Sequence, residues 1–168
     1  ETGLMRKELV AAKFKPLFEP QTIAVVGASS SKPNRLNNYI KWVRDFGFQG
    51  QIYPIHPSAT LIDGTPAYKS LGDTPKPVDY AIVGVPAEKV TGVIERGAGN
   101  CKFAHVIAAG FGEKGTSEGN RLHDKLVAAA KRAKTHILGP NCNGGHSPRA
   151  PFTYVNGMSS ELGAVGCI

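Results

Sequence analysis

Residues 22–35 read Thr22-Ile-Ala-Val-Val-Gly-Ala-Ser-Ser-Ser-Lys-Pro-Asn-Arg35. An apolar run, Ile23 to Val26, stops at Gly27; small residues follow, then Lys32, Pro33 and Arg35, then a helical pattern. An unbroken apolar run of this length is the mark of a strand buried on both faces. A strand that feeds a small-residue turn and a helix N-terminus is suited to phosphate, because backbone N–H groups converge there and the helix dipole favours negative charge. Gly27, Ala28, Ser29 and Ser30 are the candidate cradle, and Lys32 and Arg35 its candidate cationic partners. Of the fingerprint G-x-G-x-x-G only Gly27 is present, and Ser29 stands in place of the second glycine. The local motif alone therefore does not separate a phosphate site from an ordinary strand–helix turn.

The same unit recurs along the chain. A helix over 36–46 places Tyr39, Ile40 and Val43 on one face and is ended by Gly47 and Gly50. A second strand covers 51–55 and stops at His56-Pro57, and a short helical turn is expected over 68–71. A third strand over 80–85 ends at Pro86, and a helix over 87–98 turns Val90, Val93 and Ile94 inward. A fourth strand over 105–108, a loop over 109–116 and a helix over 118–133 follow, the helix carrying Leu122, Leu126 and Val127 on its apolar face. A fifth strand over 136–138 stops at Gly139-Pro140. Apolar strands alternating with helices predict an α/β fold: a Rossmann-like, doubly wound parallel sheet of about five strands, helices on both faces, crossovers right-handed. This domain is expected over residues 14–145. Residues 146–168 read as a linker and, at their end, the truncated start of a following domain; residues 1–3 are set aside as foreign to the fold.

A length of 168 residues suits one domain with a full core. Lys and Arg number 20 against 13 Asp and Glu, a net charge of +7 that fits a phosphorylated ligand. The basic residues are scattered and not interleaved with aromatics, which argues against nucleic acid. Cys101, Cys142 and Cys167 are odd in number, far apart and without a C-x-x-C, so neither a zinc site nor a disulfide framework is expected, and a reducing, cytoplasmic compartment is. No apolar run approaches the ~18 residues of a membrane span, and no signal peptide pattern is visible.

Open α/β sheets bind ligands outside the carboxyl ends of their strands. The second strand of a dinucleotide site normally ends on an acidic residue that holds the ribose hydroxyls. Here that place reads Ile55-His56-Pro57-Ser58; Asp45 lies in the preceding helix and Asp63 is too far along. A neutral or cationic group there suits a ribose that carries a phosphate, as in NADP and coenzyme A. Val85-Pro86 ends the third strand with an apolar surface for a flat adenine.

Five segments recur in order and at the spacing of one family: Phe18-Glu-Pro-Gln-Thr-Ile-Ala-Val-Val-Gly-Ala-Ser29, Gly47-Phe-Gln-Gly-Gln-Ile-Tyr-Pro54, Val78-Asp-Tyr-Ala-Ile-Val-Gly-Val-Pro86, Ala109-Gly-Phe-Gly-Glu113 and Leu138-Gly-Pro-Asn-Cys142. By these the chain resembles the N-terminal CoA-binding domain of the NDP-forming acyl-CoA synthetases, relatives of the succinyl-CoA synthetase α subunit. The resemblance implies that the first loop holds the CoA diphosphate, that His56 lies near the 3′-phosphoribose, and that Val85 and Pro86 flank the adenine. It implies that the pantetheine runs past Gly110 toward Asn141 and Cys142. It further implies ligation of CoA to a carboxylic acid through an acyl phosphate and a phosphohistidine, with ATP or GTP and Mg²⁺ bound in other domains of the chain or a partner subunit. No catalytic residue is assigned to this segment, and a homo-oligomer is compatible with it.

Three positions depart from the family. His56-Pro57-Ser58 stands where Asn-Pro and a basic residue are usual, Asn37 where a glycine opens the first helix, and Asn143 where an apolar residue or proline follows Gly-Pro-Asn-Cys. The residues leave other readings open: a stand-alone CoA-binding module, the regulatory front of a protein acetyltransferase, and an NADP-dependent oxidoreductase domain.

Overall fold

The apolar runs do form the strands of one parallel sheet. A computed structural model describes residues 2–163. In chain order it has α1 (Thr2–Phe18), β1 (Thr22–Val26), α2 (Arg35–Asp45), β2 (Gln51–Ile55), the hairpin strands β3 (Leu61–Ile62) and β4 (Thr65–Pro66), and β5 (Val78–Val83). α3 (Ala87–Arg96), β6 (Cys101–Val106), α4 (Ser117–Ala133) and β7 (His136–Leu138) follow. The five-stranded sheet has the order β2-β1-β5-β6-β7, all parallel. It is the doubly wound α/β sheet expected from the sequence.

Every residue of β1 and β5 is buried, as the centre of a sheet covered on both faces requires. Alternation sends Ala24, Val26 and Val83 to one face, where Val90 and Ile94 of α3 and Leu126 and Ala129 of α4 cover them. Ile23, Val25, Tyr80 and Ile82 point to the other, under Leu36, Tyr39, Ile40 and Val43 of α2. β1 pairs with β2 on one side and with β5 on the other, so the chain leaves β1 in one direction and returns on its far flank. That reversal opens a crevice at the carboxyl ends of β1 and β5.

Several elements differ from their sequence reading. β6 begins at Cys101, four residues ahead of the expected 105, because Lys102 breaks the apolar run yet stays in the strand: its ammonium projects outward to Asp79 Oδ1 at 2.7 Å. β5 is shifted two residues toward the N-terminus, to Val78–Val83. The segment expected as a helical turn over 68–71 is extended at Tyr68, which bridges to Ile55, and the 3₁₀ turn is Leu71–Asp73. Val127 is 38% exposed; Ala129, Ala130 and Ala133 complete the buried stripe of α4 with Leu122 and Leu126. The hairpin and α1 were not expected. α1 rests on the sheet through Phe14, whose ring lies 5.9 Å from that of Phe103 and 5.8 Å from that of His136. In the segment read as linker, Ser147 and Phe152 pair as a bridge and Phe152 packs on Tyr80 at 5.2 Å. The expected start of a following domain, from residue 164 on, and Cys167 lie outside the described residues.

Candidate functional site

A cleft of about 350 Å³ opens at the crevice between β1 and β5. Val26, Gly27, Ala28 and Ser29 form its floor, and Ile55, His56 and Pro57 its β2 side. Val85 and Pro86 bring in the end of β5, and Lys89, Val93 and Arg96 one face of α3. Lys69, Ser70 and Leu71 close it from the segment after β4.

Gly27 is required at the floor. Its φ is +107°, and a Cβ there would stand 2.7 Å from the Gly84 carbonyl oxygen, so β1 and β5 tips meet backbone to backbone. Beyond it the loop is held by Asn37, a buried residue in the first turn of α2. Asn37 Oδ1 accepts from Ser29 N at 2.9 Å and from Asn34 N at 3.0 Å, while its amide donates to Ser29 O at 2.9 Å and to Asp63 Oδ2 at 2.8 Å. Asn34 caps α2 and donates from Nδ2 to Gly27 O at 2.9 Å. Ser29 Oγ accepts from Ser31 N and Lys32 N. Among the described residues, the Ala28 and Ser30 N–H groups have no acceptor, so the loop keeps donors for an anion while its shape is fixed from within. The β3–β4 hairpin carries Asp63 to this clamp, which its distance in sequence concealed.

His56 is held by its own turn. Its Nδ1 accepts from Ser58 N at 3.2 Å and Ala59 N at 2.9 Å, which leaves the ring proton on Nε2. The carboxyl ends of β6 and β7 make a second constellation. Asn141 N donates to Ala108 O and Cys142 N to Val106 O, and His105 Nε2 meets Cys142 O at 2.7 Å. Tyr39 Oη donates to Asn143 O at 3.4 Å, and Gly145 N donates to Tyr80 Oη at 3.1 Å. Burial of His105 holds its pKa below the ordinary value, outweighing the raising effect of the Cys142 carbonyl. Gly110 N donates to the carboxylate of Glu113, and that bond chiefly holds the exposed Glu113 below the usual carboxylate range.

Six of the twelve candidate residues, Gly27, Ala28, Ser29, His56, Val85 and Pro86, line the cleft together. Ser30 and Lys32 are exposed on the loop outside its lining. Arg35 lies over the Tyr39 ring at 5.9 Å, on the α2 side and away from the cleft. Gly110, Asn141 and Cys142 sit at the β6 and β7 ends and do not touch it. Sequence reasoning passed over Lys69, Lys89 and Arg96. For two of them a signal existed, since Lys89, Val93 and Arg96 stand at i, i+4 and i+7 on one helix face. Lys69 carried none.

Among the described residues, no group of three or more His, Cys, Asp or Glu is placed to hold a metal, and no helix is long and apolar enough to cross a membrane. The family model for the CoA binding domain matches residues 21–147. The α subunit of an ADP-forming acetate–CoA ligase I from Pyrococcus furiosus is 37% identical over 137 residues, which cover 78% of this chain and 29% of that protein. The ADP-forming acetate–CoA ligase I of Archaeoglobus fulgidus is 40% identical over 129 residues, 76% of this chain and 18% of that one. A solved dinucleotide-forming acetyl-coenzyme A synthetase 1 of Ca. Korarchaeum cryptofilum, in complex with phosphate and ADP, aligns with a TM-score of 0.71 and 38% identity, over 78% of this chain and 28% of its own. The chain thus spans less than a third of the length of each of these relatives. The matched segment contains all five strands of the sheet and every loop at their carboxyl ends, and on that ground this chain belongs to the CoA binding domain family and is homologous to the ADP-forming acyl-CoA synthetase subunits.

Proposed function

We propose that this chain supplies the CoA site of an NDP-forming acyl-CoA synthetase, an acid–thiol ligase that joins CoA to a carboxylic acid. The observation that carries the reading is the lining of the cleft: it contains four basic side chains, His56, Lys69, Lys89 and Arg96, and no carboxylate. A nicotinamide dinucleotide with a free ribose wants an acid at that place, whereas a ribose phosphate wants cations. In this reading the Gly27–Ser30 loop turns free N–H groups to the diphosphate, and Val85 and Pro86 face the adenine. The pantetheine leaves the cleft toward Asn141 and Cys142, whose backbone is tied to β6. ATP or GTP with Mg²⁺, the acyl phosphate and the phosphohistidine belong to other domains or a partner subunit of such an enzyme, working in the cytoplasm.

Calorimetric titration of the chain with CoA, dephospho-CoA, NADP and NAD tests this. CoA is expected to bind tightest and dephospho-CoA more weakly. Tight NADP binding without CoA binding would replace the reading with that of an oxidoreductase domain.

A further inference from the structure

We infer that the ribose phosphate of the ligand is gripped by Lys89 and Arg96 of α3 together with Lys69, which stands on the segment paired alongside the end of β2. This rests on the CoA reading above and says which side chains give it its selectivity. The end of β2 supplies no permanent cation to the cleft. Ser58 follows Pro57, and the Nδ1 of His56 is committed to two backbone N–H groups of its own turn, so the imidazole offers one Nε2–H donor. The permanent positive charge comes from two other elements, α3 and the segment beside β2, where Tyr68, next to Lys69, bridges to Ile55. Lys89 and Arg96 project from the same face of α3 on either side of Val93, and Lys69 arrives from the segment after β4.

These cations are uncommitted. Among the described residues none of the three forms an ion pair, and Glu95, next to Arg96 in the chain, is taken by Arg132 at 2.8 Å. Glu88, in the first turn of α3, does not line the cleft. The guanidinium of Arg96 is folded back along its helix: a Cβ on Gly92 would lie 3.4 Å from Arg96 Nη1. Glycine at 92 leaves that strip of α3 bare, and the guanidinium lies on it toward the helix end that meets Pro86 and the β5 tip. A phosphate monoester carries a charge of about −1.5 to −2 near neutral pH and accepts several charge-assisted hydrogen bonds. Three cations lining one cleft, with no carboxylate among its lining residues, raise the positive potential there and draw such a group in. The phosphate is thereby read by Lys89 and Arg96 from the α3 side and by Lys69 from beside β2, with His56 in the same cleft.

The test is calorimetry of the wild-type chain, of Lys69→Gln and of Lys89→Gln/Arg96→Gln, each titrated with CoA and with dephospho-CoA. All three side chains are exposed, and circular dichroism checks that the variants keep the wild-type fold. The double variant is expected to lose CoA affinity by tenfold or more while dephospho-CoA affinity stays within about twofold, since hydrogen bonds to charged groups are the stronger class. Lys69→Gln shows the same selective loss to a smaller degree. Added salt weakens CoA more than dephospho-CoA in the wild type and equally in the double variant. Variants that keep the wild-type preference for CoA, or that lose both ligands alike, overturn the inference and leave the CoA reading standing. A wild type that binds both ligands equally overturns it as well. A wild type that binds neither overturns the inference and the reading together.

Discussion

Asn37 decides the shape of the Gly27–Ser30 loop more than any residue of the loop itself. Its side chain joins Ser29 N, Ser29 O, Asn34 N and Asp63 Oδ2, and it sits 4% exposed at the position where the resemblance implies a glycine. A glycine there would leave the Ser29 backbone groups without these partners; the asparagine ties them inward, while the Ala28 and Ser30 N–H groups keep no acceptor among the described residues. Replacing Asn37 by Ala strips partners from buried or half-buried groups, each a loss of roughly 1–3 kcal/mol. Asn37→Ala is therefore expected to lower stability by about 2 kcal/mol in urea unfolding and to weaken CoA and dephospho-CoA alike, because both carry the diphosphate. Unchanged affinity for both would show that the clamp serves the fold alone. The sequence carried half of this residue's role. Asn34 and Asn37 have capping-box spacing and so mark a helix start, but the bond to Asp63 depends on a hairpin of two-residue strands that no run of apolar residues announces. Arg35 shows the opposite limit: it is near the loop in sequence, and the structure lays its guanidinium over Tyr39 at 5.9 Å.

Elements were legible where burial follows a regular period. β1 and β5 are buried at every position, and α2 and α3 each have one apolar face, so the existence of all four reads directly from the sequence, with β5 displaced by two residues. α1 has no such face: Phe14 and Leu17 pack on the sheet, while Met5, Leu9, Val10 and Phe18 are exposed. β6 extends further than its apolar run for a local reason, the outward Lys102, and it anchors the Gly139–Asn143 loop. His105 at its carboxyl end holds the Gly139–Asn143 backbone through Cys142 O, and its Nδ1 is buried without a partner. This coupling has a pH dependence. Unfolded, the imidazole takes up a proton near its ordinary value of 6.5; folded, burial keeps it neutral to lower pH. Below pH 6.5 the unfolded chain therefore binds more protons than the folded one, and stability falls as pH falls, until the folded pKa is passed. Urea midpoints measured from pH 7.5 down to 5 are expected to decline in the wild type and to decline less in His105→Gln, whose amide still donates to Cys142 O. Equal slopes in the two proteins would remove His105 from the account.

At the scale of the whole molecule the sheet divides the site in two. The cleft opens beside α3, over the face that carries Val26 and Val83, and in the proposed reading it would take the nucleotide end of the ligand. The Gly139–Gly145 loop is tied to Tyr39 and Tyr80, on the face beneath α2, and stands where the thiol end would arrive. A ligand with only the nucleotide end should fill the first and leave the second open. Adenosine 3′,5′-bisphosphate and CoA, each at a hundred times its dissociation constant, are both expected to stabilise the chain by about 2.7 kcal/mol and raise its melting temperature by roughly 5–10 °C. They should part company at Cys142, which is half-exposed: iodoacetamide labelling there, followed by peptide mass mapping, is expected to slow with CoA and not with the bisphosphate. Cys101 is the internal control, since burial, reinforced by Asp79, pushes its thiol up to about 12 and keeps it unlabelled throughout. Shielding by both ligands would mean that the loop closes when the cleft fills, and the two halves would then be mechanically one. Shielding by neither would detach the Gly-Pro-Asn-Cys loop from the pantetheine, and the thiol end of the site would have to be sought along the Gly110–Glu113 turn.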